Sequence, residues 1–222
     1  MYVAISGNTA AGKSSLIAEL ERRLCRLGFP AVGISERVFH HQYLRLMFSN
    51  PRDFAFPIQL SFLVERYMVL LRNLVSLRRT VIMERCHFDD LLFVEEHFQA
   101  GNIAEDQRST YHQLALVLHA RLPHPDVLVL MNPAPETSLE RLARAEQRND
   151  RPKEFPSDEA KERWVRRWHA MEVNLHKQYR QRTAQDLARA GTTLVQVDPA
   201  QDHARCADIV YAAILNRRER NK

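Results

Sequence analysis

The chain has 222 residues, of which 45% are apolar and 27% charged; that length fits one α/β domain with at most a lid, and that balance excludes intrinsic disorder. The basic excess is modest, 32 − 27 = +5, and suits a polyphosphate ligand as well as a nucleic acid, but no nucleic-acid-binding module accompanies it, so no nucleic-acid partner is expected. The most apolar stretch, residues 60–77, is interrupted by Glu65, Arg66 and Arg72, and Met1 is followed by neither a basic leader nor a cleavage site, which reads as a soluble, cytoplasmic protein without a membrane span.

Short β-branched and apolar runs at residues 2–6, 31–35, 80–83, 126–131 and 192–197 are each followed by a helical pattern. Their alternation predicts an α/β fold with a five-stranded parallel sheet flanked by helices on both faces. Gly28, Gly101 and Gly191 stand where helices ending at Leu27, Ala100 and Ala190 should stop, and read as C-terminal caps. Pro51, Asp53 and Pro57 open a long helix to about Leu77, with Pro57 placed in the first turn, where its missing N–H has no intrahelical partner anyway. Residues 149–158 combine two prolines and five charges without an apolar period, the pattern of an exposed segment between helices. Cys25, Cys86 and Cys206 have neither disulfide nor metal-ligand spacing and read as reduced thiols.

Gly7-Asn8-Thr9-Ala10-Ala11-Gly12-Lys13-Ser14 fits G-x-x-x-x-G-K-[ST] between the first strand and the first helix, the context that pattern requires. Glycines let backbone N–H groups turn toward phosphate oxygens, the helix N-terminus adds partial positive charge, Lys13 neutralises the terminal phosphates and the Ser14 hydroxyl can ligate Mg²⁺. ATP or GTP is the expected ligand, with Ser15 completing the cradle. A bare phosphate loop names a donor site and no reaction.

Glu36 closes the second strand and Glu84-Arg85 the third, so in an open parallel sheet they project at the carboxyl edge where the phosphate loop also opens. These residues resemble the deoxyribonucleoside kinase family, in particular its deoxycytidine, deoxyguanosine and bacterial deoxyadenosine kinase branches. The likeness rests on the loop Gly7 to Ser14, on Glu36-Arg37-Val38, on Glu84-Arg85-Cys86 with Asp90, on Gln59 followed seven residues later by Arg66, on Pro123 to Asp126 and on Pro135 to Arg141, in the family's order over about residues 2–155. Two positions depart from it: Phe48 stands where the family often has a tyrosine, and His41 where it often has a tryptophan. His40 and His41 are adjacent and face apart, and no carboxylate or Cys spacing supports a metal there.

The resemblance implies a P-loop fold in a single domain over 1–222, with an arginine-bearing lid at about 141–158. It implies phosphoryl transfer from ATP, with Mg²⁺, to the 5′-hydroxyl of a deoxyribonucleoside, by a homodimer. Phosphoryl transfer needs a base near the hydroxyl and cations around the transferring group, so Glu36 is the candidate base, Arg85 and Lys13 the cations, and Ser14 with Glu84 the metal shell. Gln59 and Arg66 lie two turns apart on one helix face and can address a flat base together with Asp90, a set that suits cytosine or adenine, whose exocyclic amine donates, and opposes the O4 of thymine or uracil; the resemblance alone adds guanine, so a purine or cytosine base is expected. Arg141, Arg144, Arg148 and Arg151 fall within a quarter of a helical circumference; a lid over the donor phosphates and a solvated ridge pairing with Glu140 and Glu146 both give that pattern. Glu154 takes the place of the family's lid glutamate at the sugar 3′-hydroxyl. Phe54, Phe56, Phe62, Phe88 and Phe93 are expected mostly in packing. Two alternatives stay open: a nucleoside monophosphate kinase, with Arg37 and Arg52 for the acceptor phosphate, and a non-catalytic nucleotide-binding subunit.

Overall fold

The computed structural model describes residues 1–36, 43–181, 191–198 and 202–220; Arg37, Val38, His40, His41 and the helix expected to end at Ala190 lie outside them. Five parallel strands, β1 (Tyr2–Gly7), β2 (Ala31–Ile34), β3 (Thr80–Glu84), β4 (Val127–Met131) and β5 (Thr193–Gln196), form one sheet in the order β2-β3-β1-β4-β5. All four pairings are parallel, with Ile5 opposite Glu84 and Gly7 opposite Met131. The strands match the expected runs to within a residue or two. The central strands β1, β3 and β4 are buried along their whole length, which is why they read as continuous apolar runs rather than as alternation.

Helix α1 (Lys13–Arg26) buries Leu16, Ile17, Leu20 and Leu24 against one face of the sheet, where α8 (His203–Arg220) adds Val210 and Ile214. It ends as expected: Gly28 has φ 75°, its N–H reaches Cys25 O at 2.9 Å and Phe29 N reaches Leu24 O at 3.1 Å, a left-handed cap that saturates the last carbonyls. The opposite face carries the long helix α3 (Pro51–Leu70), which follows the short α2 (Leu44–Ser49) and packs with α4 (His87–Gln99) and α5 (Glu105–His119). Helices α6 (Pro135–Gln147) and α7 (Asp158–Gln181) follow β4.

Two expectations for α3 are corrected. The helix starts at Pro51, so Pro57 is its seventh residue and sits inside it. The proline is tolerated because it and Asp53, whose carbonyl loses the N–H partner, are both exposed, leaving that carbonyl to water. The helix runs on to Ser76, as expected to within a residue, though not as an α-helix throughout. From Leu71 to Ser76 it widens into a π-helical turn, with Leu77 N on Arg72 O at 2.9 Å and Asn73 Nδ2 on Val69 O at 2.9 Å. Residues Pro51–Ser76 are long and apolar enough, at mean hydropathy 1.4, to pass a membrane test by length and composition. That corrects the exclusion drawn from its charged interruptions, but the same stretch buries Gln59 and Arg66 against the sheet's carboxyl edge. Its exposed apolar side chains, Val64, Met68 and Val75, lie on the side away from them.

Candidate active site

The phosphate loop is a turn that few sequences can make. A Cβ on Gly7 would lie 1.8 Å from the Met131 carbonyl oxygen of the neighbouring strand, so only glycine lets β1 leave the sheet there. Gly12, at φ 96°, opens α1. Lys13 is 3% exposed and folds over the loop, its Nζ donating to Gly7 O at 2.9 Å and Asn8 O at 2.7 Å and lying 3.5 Å from Glu84 Oε1. Ser14 Oγ donates to Glu84 Oε2 at 2.9 Å, and the Glu36 backbone N–H reaches the same oxygen at 3.0 Å. Burial works against the Glu84 charge, but Lys13, the Glu36 N–H and the Ser14 hydroxyl outweigh it and hold the carboxyl below its ordinary value. A hydroxyl and a carboxylate at this spacing are the hard oxygen donors with which a protein holds Mg²⁺ beside substrate phosphates, so the pair fits that ion.

Glu36 and Arg85 meet across the cleft mouth, with Arg85 Nε 2.7 Å from Glu36 Oε1. One third of the Glu36 side chain is exposed against 4% of Arg85, so the carboxylate faces the cleft and the guanidinium lies in its wall. Behind them Arg66 Nε binds Asp90 Oδ2 at 2.8 Å and Nη1 donates to Glu84 O at 2.9 Å. Burial opposes the Arg66 charge, and the Asp90 and Glu36 carboxylates overcome it and raise its pKa. Burial dominates at Asp90 and pushes its carboxyl up, with Arg66 pulling it back. Gln59 is buried beside them, its Nε2 on Met47 Sδ at 3.6 Å.

These groups line one cleft of about 610 Å³, within the range of small-molecule sites. Thr9 to Ser15, Glu36, Gln59, Arg66, Glu84, Arg85, Asp90 and Glu154 all border it. Gly7 and Asn8 do not: Gly7 is the hinge, and the buried Asn8 side chain accepts from Thr9 N at 2.7 Å and donates to Val165 O at 3.2 Å, tying the loop to α7. Asp89, which the sequence reading passed over beside Asp90, works similarly. It accepts from Ser6 Oγ at 2.6 Å and Cys86 N at 2.7 Å, joining β1 to the start of α4; the signal available was its position three residues after Cys86, where an acidic residue caps a helix.

The expected ridge of four guanidiniums does not form. Helix α6 ends at Gln147 and Asn149 takes φ 57°, so the 100° spacing that would align Arg151 with Arg141 stops before it applies. Arg144 pairs with Glu140 on the surface and Arg148 is exposed; neither borders the cleft. Arg141 reaches back to Ala11 O at 3.3 Å. Arg151 does border the cleft, with Nη2 2.8 Å from the buried Glu154. Arg52 is exposed at the start of α3, outside the cleft lining.

The apolar wall was also missed in part. Phe54 and Phe56 are core packing as expected, whereas Phe62 and Phe93 border the cleft. Phe48, Phe155 and Trp164 join them from three other elements, with ring centroids 4.5 Å apart for Phe48 and Phe155 and 5.1 Å for Phe48 and Trp164. No spacing in the chain announces contacts between residues more than a hundred positions apart.

A family model described as deoxynucleoside kinase matches residues 3–156. Among curated proteins, the deoxyadenosine/deoxycytidine kinase of Bacillus subtilis is 28% identical over 143 residues, covering 63% of this chain and 63% of its own. The deoxyguanosine kinase of Lactobacillus johnsonii is 28% identical over 145 residues, 63% of this chain and 62% of its own. The matched region thus spans less than two thirds of these relatives. In fold the likeness extends further: a deoxyadenosine kinase from M. mycoides, solved with bound dATP, aligns with TM-score 0.70 at 19% identity, covering 96% of this chain and 99% of that one. With the family's pattern matched over well more than half of its length, the chain belongs to the deoxynucleoside kinase family.

Proposed function

We propose that the protein transfers the γ-phosphoryl group of ATP to the 5′-hydroxyl of a deoxyribonucleoside, giving the 5′-monophosphate. The observation that carries this reading is the half-exposed Glu36 carboxylate held 2.7 Å from Arg85 beside the phosphate loop, with a buried polar set behind it. Glu36 accepts the proton of the 5′-hydroxyl as the new O–P bond forms and the bond to the β-phosphate oxygen breaks. Lys13 and Arg85 stabilise the charge spread over the transferring group, a reaction that asks the protein for position and electrostatics more than for covalent chemistry. Ser14 and Glu84 hold Mg²⁺, which neutralises phosphate charge when bound. Thr9 to Ser15 cradle the phosphates, and Arg141 and Arg151 close over the donor from the lid, residues 141–158 of a single domain. Glu154 takes the sugar 3′-hydroxyl, and Gln59, Asp90 and Arg66 read the base.

The substrate test is transfer from ATP to deoxyadenosine, deoxycytidine, deoxyguanosine, thymidine and their monophosphates, scored by rate. Amine-bearing nucleosides should lead, thymidine should trail and monophosphates should not react; faster turnover of monophosphates or of thymidine overturns the assignment. An Asp90 carboxylate opposes the O4 of thymine, so Asp90→Ala with Arg66→Met should raise relative activity on thymidine about tenfold, the equivalent of one mispaired buried polar edge. Removing both partners leaves no orphaned charge to confuse the result.

The working unit is a homodimer in the cytoplasm. Val64, Met68 and Val75 on α3 and its π-helical extension, and Leu116 and Val117 on the adjoining α5, are 38% to 74% exposed, an apolar face fit for a second copy. The cytoplasmic reading draws on Cys25, Cys86 and Cys206, which are free thiols. Light scattering should give the mass of two chains at micromolar concentration, and Met68→Glu with Leu116→Glu should halve it; a wild-type mass of one chain refutes the dimer.

A further inference from the structure

Arg85 sits in an unusual setting for a guanidinium. Its backbone is at φ 64°, a strained value for a side-chain-bearing residue, and its N–H is pinned to Ile5 O at 2.8 Å. Its side chain is buried to 4%, with Glu36 on one side. On the other, the guanidinium carbon lies 4.8 Å from the centre of the Phe93 ring and 4.9 Å from that of Trp168. The two rings are stacked on each other at 3.9 Å and 12°. Phe93 borders the cleft, but Trp168, 1% exposed, does not.

We propose that Trp168 is a positioning residue for phosphoryl transfer, its indole face setting the direction of the Arg85 guanidinium. This rests on the assignment of Arg85 as a cation of the reaction. Indole is the strongest of the aromatic partners for a cation, and the attraction grows where water is excluded. Buried indoles ordinarily find a partner for their N–H, yet Trp168 Nε1 has none among the described residues; the ring is used for its face. Its support is rigid on both sides. One turn before it, Val165 O accepts from the Asn8 side chain of the phosphate loop at 3.2 Å. One residue after it, the His169 backbone carbonyl accepts from Asn132 Nδ2 at 3.3 Å, beyond the end of β4. Helix α7 thus carries the indole to Arg85 while fastened to the donor cradle, so the cation and the phosphate loop share one frame.

The experiment compares Trp168→Leu, Trp168→Phe and Arg85→Gln singly, and Trp168→Leu combined with Arg85→Gln. Trp168→Leu should lower kcat about tenfold or more with nucleoside KM changed less than twofold, since a misdirected cation is felt in the transition state; Trp168→Phe, which keeps a π face, should recover most of the loss. In the Arg85→Gln background Trp168→Leu should have no further effect. Equal losses in both backgrounds, or a Leu variant that turns over like wild type, overturn the proposal. The Arg85 Nε–H resonance, identified by its loss in Arg85→Gln, gives a readout without turnover. It should be displaced by the currents of both rings in wild type and in Trp168→Phe, and move measurably in Trp168→Leu, where only the Phe93 ring remains. If wild type transfers no phosphoryl group, the kinase reading fails on that result alone, while an unmoved resonance defeats the packing argument by itself.

Discussion

The phosphate loop and the stretch from Glu140 in α6 to Lys161 in α7 both carry positive charge in or near the cleft, and they are built in opposite ways. In the loop every charge is buried against fixed partners: Lys13 lies on two carbonyls and near Glu84, and Glu84 in turn holds Ser14 and the Glu36 N–H. In the later segment the arginines are partly or wholly exposed and pair locally, Arg144 with Glu140 and Arg151 with Glu154, while Lys161 stitches its base by reaching Glu146 at 2.6 Å and Asp158 at 2.9 Å. Buried pairs are costly to break because they leave an uncompensated charge, whereas exposed pairs are worth ~0–1 kcal/mol. The loop side is therefore held by pairs that are costly to break, and of the later pairs only those with the buried Glu146 and Glu154 share that cost.

The strongest way to break this comparison is at the loop side. Lys13→Ala and Glu36→Gln should each lower kcat about a hundred- to ten-thousand-fold while the fold persists, measured by steady-state transfer and by circular dichroism; unchanged turnover in either variant removes that residue from the chemistry. A second, smaller effect concerns acid. Burial lowers the pKa of His97 to about 4 and of His119 to about 4, and also lowers that of His87. In an unfolded chain these groups titrate near 6.5, so between about pH 6.5 and 4 the unfolded state binds protons that the folded state does not. Stability should fall as pH drops through that window and level off below it, by up to ~3 kcal/mol from the well-buried His97 and less from the half-buried His119. Urea unfolding at pH 7 and pH 5 reads it directly, and identical midpoints would count against it. The smallest effect belongs to the exposed Arg144–Glu140 pair: Arg144→Ala should change the unfolding free energy, read from urea curves, by less than about 0.5 kcal/mol and leave kcat within twofold, and a tenfold loss of activity would return Arg144 to the donor site.

The five-stranded parallel sheet and the phosphate loop were legible because each is announced locally, by apolar runs of strand length and by glycines whose spacing makes a turn, whereas the order β2-β3-β1-β4-β5 depends on pairings between distant segments and was not. Glu36, Glu84 and Arg85 were legible from their places at strand ends, and Gln59, Arg66 and Asp90 only through the family resemblance; the structure brings all six to one cleft. What failed was extrapolation: the arginine ridge assumed that α6 continued past Arg148, but Asn149 at φ 57° and Pro152 turn the chain away. The part of the aromatic wall made by Phe48, Phe155 and Trp164 could not be read, since these residues meet only once α2, the segment after α6 and α7 are assembled.

The place of β1 in the middle of the sheet bears on how the molecule comes into being. Its partners lie far along the chain, Tyr2 opposite Val81 and Val3 opposite Val127, so about 120 residues separate the strand from its second neighbour. At a synthesis rate of ~5–20 residues per second, that is a wait of roughly 6–25 s between the appearance of β1 and of the strand that closes its other edge. Such non-local parallel pairing is slow to form, and until it does a mostly apolar strand presents an open edge, two before β3 is made, to other nascent chains. The loop between β1 and α1 is synthesised among the first segments and completed only when β4 arrives, which places the hazard of misassembly on the residues proposed to hold phosphate.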